Sequence, residues 1–255
     1  IAVGRRHDPM GVPFQNGPTT GKDVVVGLED AVIGGVAGVG RGWQMLMECL
    51  AAGRGSSLPA TAVGGTQLVA RAVGAYATVR QQFGLPIGRF EGIEEPLARI
   101  AGTTYLMEAA RRFVCGALDE GQKPAVVTAI AKYNTTELWR KVINDGMDVL
   151  GGAAISRGPR NLLAHGYIGT PICITVEGAN ILTRTLMIFG QGAIRCHPYA
   201  YREIEAIAKS DVVAFDRAFW PHVGHVLRNG VRSLLLGLSR GWLTWSPVSG
   251  AARPY

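Results

Sequence analysis

From Trp43 onward the sequence is written in long apolar stripes of helical period, and this limits the chain to folds made by packing helices against one another. Trp43, Leu46, Met47 and Leu50 recur at i, i+3, i+4 and i+7, one face of an amphipathic helix. A second helical stretch, about 60–82, is rich in Ala, Val and Gly, residues small enough for neighbouring helices to approach closely. Gly53, Gly55 and Pro59 interrupt the run, so a kink or break is expected over 56–59. A third helix is predicted from about 93 to 118, its apolar face set by Leu97, Ile100, Tyr105, Met107 and Ala110. Gly121 and Pro124 end it, and a fourth follows over about 124–149, with Pro124 in the first turn where its missing N–H costs little. Gly151 and Gly152 open a stretch expected to be irregular to about 175. A fifth helix is expected from about 177 to 189, and two more over 201–218 and 222–238. The pattern implies a mainly α chain whose core is a bundle of four or more helices with short loops.

Residues 1–40 read differently. They are rich in glycine, carry Pro9, Pro13 and Pro18, and hold the β-branched runs Asp23-Val-Val-Val and Ala31-Val-Ile. Short strands joined by glycine turns fit this composition. Two or three strands do not stand alone in water, so the segment is read as the end of a β domain whose earlier strands are missing.

With 255 residues, 47% hydrophobic and 18% charged, the chain is globular in composition and long enough for a substantial core. Cys49, Cys115, Cys173 and Cys196 lie far apart with no C-x-x-C pair, which argues against a disulfide scaffold or a zinc ribbon. No signal peptide and no uncharged run of about 20 apolar residues is seen. A cytoplasmic location is expected, with attachment to the inner membrane left open. The net charge of +7 is spread through isolated arginines, which is a solvated face and not a nucleic-acid stripe. His222 and His225 share a helix face but have no third ligand in the sequence, so no metal is expected. Neighbouring side chains such as Cys196 and His197 do not face each other, so they form no nucleophile–base pair. The segment 231–245 mixes Arg with Leu and Trp. It reads as a core or interface helix, with a membrane surface or an acyl-carrying partner as the other readings.

Three constellations can carry chemistry. Arg80-Gln-Gln-Phe83-Gly84-Leu-Pro-Ile-Gly88-Arg-Phe90 ends a helix in a tight turn. Asp148-Val-Leu-Gly151-Gly152, counted with its intervening residues, closes another. Val176-Glu177-Gly178-Ala179-Asn180-Ile181-Leu182-Thr183-Arg184 follows an apolar run. There Glu177 is a single carboxylate that desolvation would make a useful base, or else a glutamate favoured at a helix N-terminus. In order and approximate spacing the three resemble the C-terminal half of acyl-CoA dehydrogenases, and the stretch Gly42-Trp-Gln-Met-Leu-Met-Glu-Cys-Leu, followed by Gly53-Arg54-Gly55, adds to the match. The likeness is to the large bacterial fatty-acid β-oxidation type.

The resemblance implies the four-helix up-and-down bundle of that family, preceded by the end of a small β domain. Residues 1–41 would be the last strands of the middle domain, 42–198 the flavin and acyl-CoA domain, and 199–255 the start of a helical extension. It implies FAD as cofactor and conversion of a fatty acyl-CoA thioester to trans-2-enoyl-CoA. Glu177 would take the α proton, and its backbone N–H would polarise the thioester carbonyl. Arg54 and Gly178 would lie beside substrate. Arg80 would grip the flavin pyrophosphate with a guanidinium fork, beside Gln82 and Phe83. Phe90 and Glu91 fall where the family touches adenine, and Asp148, Gly151 and Gly152 where the adenosine half lies close. Ala179 and Ile181 stand at further cofactor positions. These contacts reach the flavin of a neighbouring subunit, implying a homodimer or homotetramer, and electrons would leave to an electron-transfer flavoprotein or similar acceptor. An acyl-CoA oxidase and a non-enzymatic basic helical module are the rival readings.

Overall fold

The computed structural model describes residues 1–12 and 16–243, in two compact units, Ile1–Phe189 and Gly190–Tyr255. In the first, α2 (Gly42–Val79), α3 (Glu91–Asp119), α4 (Ala125–Leu150) and α6 (Ala164–Thr175) form the core, with short helices α1 (Leu28–Ala31), α5 (Gly152–Ile155) and α7 (Asn180–Leu182) in the connections. A π-helical stretch, Thr183–Gln191, follows α7.

Side-chain contacts give the helix directions. Gly55 meets Thr128, Gly65 meets Trp139 and Gly146 meets Val69, so α2 and α4 run parallel. The Thr104 hydroxyl reaches toward the Thr66 carbonyl while Gly55 approaches Val114, so α3 runs the other way. Gly166 sits on Ile143 and Lys132 on Ile174, which makes α6 antiparallel to α4. This is an up-down-up-down bundle. Its core holds Leu58, Val63, Val69, Val73, Ile100, Met107, Trp139, Val142, Ile143 and Leu163.

The expected break over 56–59 is absent: α2 runs unbroken through Pro59. A proline inside a helix costs ~3 kcal/mol, but α2 packs along its length on α3 and α4, and most helix stability in proteins comes from such packing. The glycines that looked like breakers serve close approach instead. A Cβ on Gly55 would lie 2.5 Å from Thr128 Cγ2.

Other boundaries also differ. The stretch after Gly152 is not irregular to 175 but contains α5 and α6, the latter running through Pro171. The fifth helix begins at Asn180, after a turn at Glu177 and Gly178 that has left-handed backbone. Among the described residues of 1–40 only β1 (Ala2–Val3) and β2 (Thr19–Thr20) pair, antiparallel, with Ala2 opposite Thr20. The runs at Val24–Val26 and Ala31–Ile33 form no strand; Val25 is 95% exposed and has no ladder partner. Pro13 lies outside the described residues.

The second unit contains α8 (Gly192–Cys196), α9 (Ala200–Ala208) and α10 (Val212–Leu238). The division between α9 and α10 falls at Lys209–Asp211 and not at 219–221 as the sequence suggests. Ser210 is left-handed (φ 54°), and the Asp211 carboxylate caps α10 by accepting from the Ala214 N–H at 2.9 Å. Pro221 is accommodated within α10. Leu227, Val231, Leu234, Leu235 and Leu238 are exposed, so the segment expected to be a core or interface helix is not covered by the described chain; Thr244 and Trp245 lie outside the described residues.

Candidate functional site

Two places in the helical bundle gather the singled-out residues. The first lies where α2 and α4 end. Arg80 follows α2, and its N–H donates to the Tyr76 carbonyl at 2.8 Å. A hairpin then forms from β3 (Gln81–Gln82) and β4 (Leu85–Pro86). Its two-residue loop, Phe83-Gly84, has positive φ at both positions (53° and 79°), the backbone that two-residue hairpins favour. The loop lifts Phe83 into solvent at 94% exposure, edge-on to Phe90 with ring centroids 6.3 Å apart. On the facing side Gly151, left-handed at φ 55°, stops α4.

Between them is a cleft of about 630 Å³, lined by Arg80, Gln82, Phe83, Phe90, Asp148, Gly151 and Gly152 together with Tyr76, Ile87, Ile93, Val149, Leu150 and Ala153. Seven of the expected cofactor residues therefore converge. Glu91, Ala179 and Ile181 do not line this cleft. A Cβ built on Gly151 or Gly152 would meet nothing within 4 Å, so the chain's own packing does not require bare backbone at Gly152. A guanidinium, an amide, an aromatic ring and open glycine backbone suit the diphosphate and planar base of a dinucleotide; Asp148 brings the one carboxylate in the lining.

The second place is the turn between α6 and α7. Glu177 (φ 54°) and Gly178 (φ 89°) are both left-handed. A non-glycine residue in that region costs on the order of 1–2 kcal/mol, and the surroundings hold it there. Arg54, 1% exposed on α2, donates from Nε to the Glu177 carbonyl at 3.0 Å and from its terminal nitrogen to Met187 Sδ at 3.1 Å. Lys132, fully buried on α4, donates from Nζ to the Gly178 carbonyl at 2.8 Å and to Asn180 Oδ1 at 2.6 Å. The Asn180 amide donates onward to Thr136 Oγ1 and Glu137 Oε1. Thr183 Oγ1 also donates to the Gly178 carbonyl, at 3.2 Å.

Burial pushes the Lys132 ammonium down to about 8, with the Glu177 charge opposing and Arg54 adding to the depression. Burial likewise lowers Arg54, opposed by Glu177, and burial raises the Cys173 thiol. Glu177 Oε2 is buried with no hydrogen-bond partner. A buried acceptor in that state costs about 1–3 kcal/mol.

The sequence reading missed Lys132, Asn180, Thr183 and Met187. A signal for Lys132 was present: Thr128, Lys132, Thr135, Thr136 and Trp139 follow the helical period and are all buried, and a lysine in the inward register of a helix has to be partnered. Arg54 lies beneath the turn, gripping Glu177 main chain. A Cβ added at Gly178 would come into van der Waals contact with Thr183, Met187 and Arg54, and its φ favours glycine.

In the second unit His222 Nδ1 lies 2.7 Å from Glu203 Oε1, and His197 Nδ1 accepts the N–H of Ala200 at 3.1 Å. Among the described residues no three His, Cys, Asp or Glu side chains are placed to hold a metal.

Over residues 40–188 the sequence matches the family described as "Acyl-CoA dehydrogenase, C-terminal domain". Residues 194–255 match "Acyl-CoA dehydrogenase, C-terminal, bacterial type". The chain belongs to the acyl-CoA dehydrogenase family. Among curated proteins, this chain is 52% identical over 75 residues to "Protein HemX" of Proteus mirabilis, covering 29% of the chain and 44% of that protein. It is 31% identical over 162 residues to the very long-chain specific acyl-CoA dehydrogenase, mitochondrial, of Homo sapiens, covering 62% of the chain and 24% of that enzyme. Among solved structures, a glutaryl-coenzyme A dehydrogenase in complex with glutaryl-CoA superposes with a TM-score of 0.56 at 28% identity, over 61% of this chain and 39% of the other. The chain thus spans less than half the length of these relatives. No single helix among the described residues is long and apolar enough to cross a membrane.

Proposed function

We propose that this chain supplies the base and part of the cofactor site for oxidation of a fatty acyl-CoA thioester to the trans-2-enoyl-CoA. One observation carries the reading: the Glu177 carboxylate has a buried, unpartnered oxygen on a left-handed turn pinned from below by Arg54 and Lys132. An α C–H of a thioester is a weak acid, so its removal calls for a base held against it out of water. Glu177 would take that proton at Oε2. Its backbone N–H is the donor proposed for the thioester oxygen as negative charge builds there. Gly178 keeps the backbone beside the carboxylate free of a side chain.

The cofactor is proposed to be FAD, with Arg80 and Gln82 toward the diphosphate, Phe83 and Phe90 toward the adenine, and Gly151 and Gly152 along the adenosine half. When bound it would accept the hydride lost from the β carbon. Glu177, Arg54 and Gly178 are absent from the lining of the cleft, which supports an assembly in which the base of one subunit and the cleft of another serve the same flavin. A homodimer or homotetramer, an electron-transfer flavoprotein as acceptor and a cytoplasmic setting complete the proposal.

The test uses the full-length flavoprotein with Glu177→Gln. The variant is expected to keep its flavin and to lose turnover of palmitoyl-CoA by roughly 100- to 10,000-fold, the range for losing a general base. Flavin bleaching at the wild-type rate on adding palmitoyl-CoA would remove Glu177 from the reaction. One peroxide formed per enoyl product would reassign the protein as an oxidase.

A further inference from the structure

We infer that Lys132 is a positioning residue for the base: its buried ammonium fixes the Glu177–Gly178 turn by holding the Gly178 carbonyl and the Asn180 side chain, and the charge on that ammonium is needed for turnover. The inference deepens the reading of Glu177 as base and rests on it.

Lys132 touches neither cleft nor solvent. Its three ammonium protons face three acceptors: the Gly178 carbonyl at 2.8 Å, Asn180 Oδ1 at 2.6 Å and, more distantly, the Ile174 carbonyl at 3.5 Å. Those acceptors bracket the base on both sides in sequence. Ile174 lies in the last turn of α6 before it, Gly178 follows it, and Asn180 opens α7. Arg54 takes the one remaining carbonyl of the turn, that of Glu177 itself. A left-handed glutamate is held against its own preference by this pair of cations, and the two are not equivalent. The guanidinium stays charged at any working pH. The ammonium does not, because burial brings it to about 8. The charged and titratable groups facing Lys132 are Arg54 on α2, Glu137 on α4, Cys173 on α6 and Glu177 on the turn. As pH rises through about 8 the amine loses its charge, its hydrogen bonds weaken, and the turn is released toward ordinary backbone. The base then moves off the line to the substrate carbon, and an ångström of such drift is worth on the order of 100-fold in rate.

The experiment compares full-length flavoprotein, wild type and Lys132→Met, with palmitoyl-CoA as probe across the pH range in which the flavin stays bound. The expected result for Lys132→Met at neutral pH is a kcat lowered roughly 100-fold. Its KM and flavin content should stay within about 3-fold of wild type, the pattern of an interaction that matters in the transition state. The wild-type kcat should decline above about pH 8, and that decline should be missing from the variant. A Lys132→Met enzyme with kcat near wild type overturns the inference. Should Lys132→Met not fold, the wild-type profile decides: a falling kcat with flavin retained upholds the assignment, and a level one overturns it. If Glu177→Gln is fully active, the reading of the base fails; if Glu177→Gln is dead while Lys132→Met is unimpaired, only the role of Lys132 fails.

Discussion

Gly64 and Gly65 are adjacent in the middle of α2, yet alanine at the two positions is expected to act in opposite directions. Gly64 is exposed, and a Cβ there meets nothing within 4 Å. Replacing an open helical glycine by alanine gains about 1 kcal/mol. Gly65 faces α4, where its Cβ would run into Trp139 Cε2 and lie 2.5 Å from both Cζ2 and Nε1. Those are ring atoms of a side chain only 7% exposed, so the indole cannot swing aside and the helices must part. Overpacking of this kind costs about 1–3 kcal/mol, and the rigid contact argues for the upper part of that range. After the propensity gain, Gly65→Ala should destabilise by about 1–2 kcal/mol. The two variants should then melt about 5–10 °C apart, taking ~2–4 °C per kcal/mol for a chain of this size. Thermal unfolding followed by far-ultraviolet circular dichroism, with urea titrations to check the free energies, reads the difference directly. If Gly65→Ala is as stable as Gly64→Ala, the glycine is not there to admit Trp139, and the account of how α2 and α4 approach is wrong.

Arg80→Met in the full-length protein should weaken flavin retention roughly 10- to 100-fold, as loss of a charge-assisted hydrogen bond does, with unchanged helicity; flavin absorbance after dialysis measures it. Glu108 is held at about 2 by Arg111 and Arg112, whose nitrogens lie 2.8 and 2.7 Å away. Its folded value lies below its ordinary one, so its contribution is complete above about pH 4.5 and is lost as pH falls through about 2. Glu108→Gln should therefore cost under about 1 kcal/mol at neutral pH, as half-exposed pairs do, and nothing at the acid end of a melting series. Lys132 is also depressed in the folded state, so the folded chain sheds that proton before the unfolded one. Melting of wild type relative to Lys132→Met should rise between about pH 8 and 10.5, the interval in which turnover is expected to fall.

Where local chemistry and packing agree, the sequence is a good guide. Gly121 and Pro124 bracket the join between α3 and α4, and both helices lie within two residues of their expected bounds. Apolar periodicity announces the helices but misassigns part of their inward faces: Ile100 and Met107 are buried as expected, whereas Trp43, Leu46, Leu50 and Tyr105 are exposed. Local signals mislead where tertiary contact overrules them: Pro59, Pro171 and Pro221 all sit inside helices. A glycine admitting a neighbouring helix is written with the same letter as one that ends a helix, and only the neighbour tells them apart. At the site, Arg80, Gln82, Phe83 and Phe90 meet Asp148, Gly151 and Gly152 at one cleft because the hairpin and the end of α4 are local structures, while Glu91, Ala179 and Ile181 lie outside its lining. Lys132 escaped because its partners Gly178 and Asn180 lie 46 and 48 residues further along, a pairing that only the folded bundle creates.

The turn that carries the carboxylate of position 177 is moored by two main-chain oxygens to separate rods, the Glu177 oxygen to α2 through Arg54 and the Gly178 oxygen to α4 through Lys132. Its aim therefore records the registry between those rods. A substitution deep in the bundle, far from any ligand, that lets one rod slide along the other by a few tenths of an ångström would turn the carboxylate with it. Variants that leave every ligand contact intact can for that reason still surface as slow enzymes, and the search for them belongs along the seam where α2 meets α4.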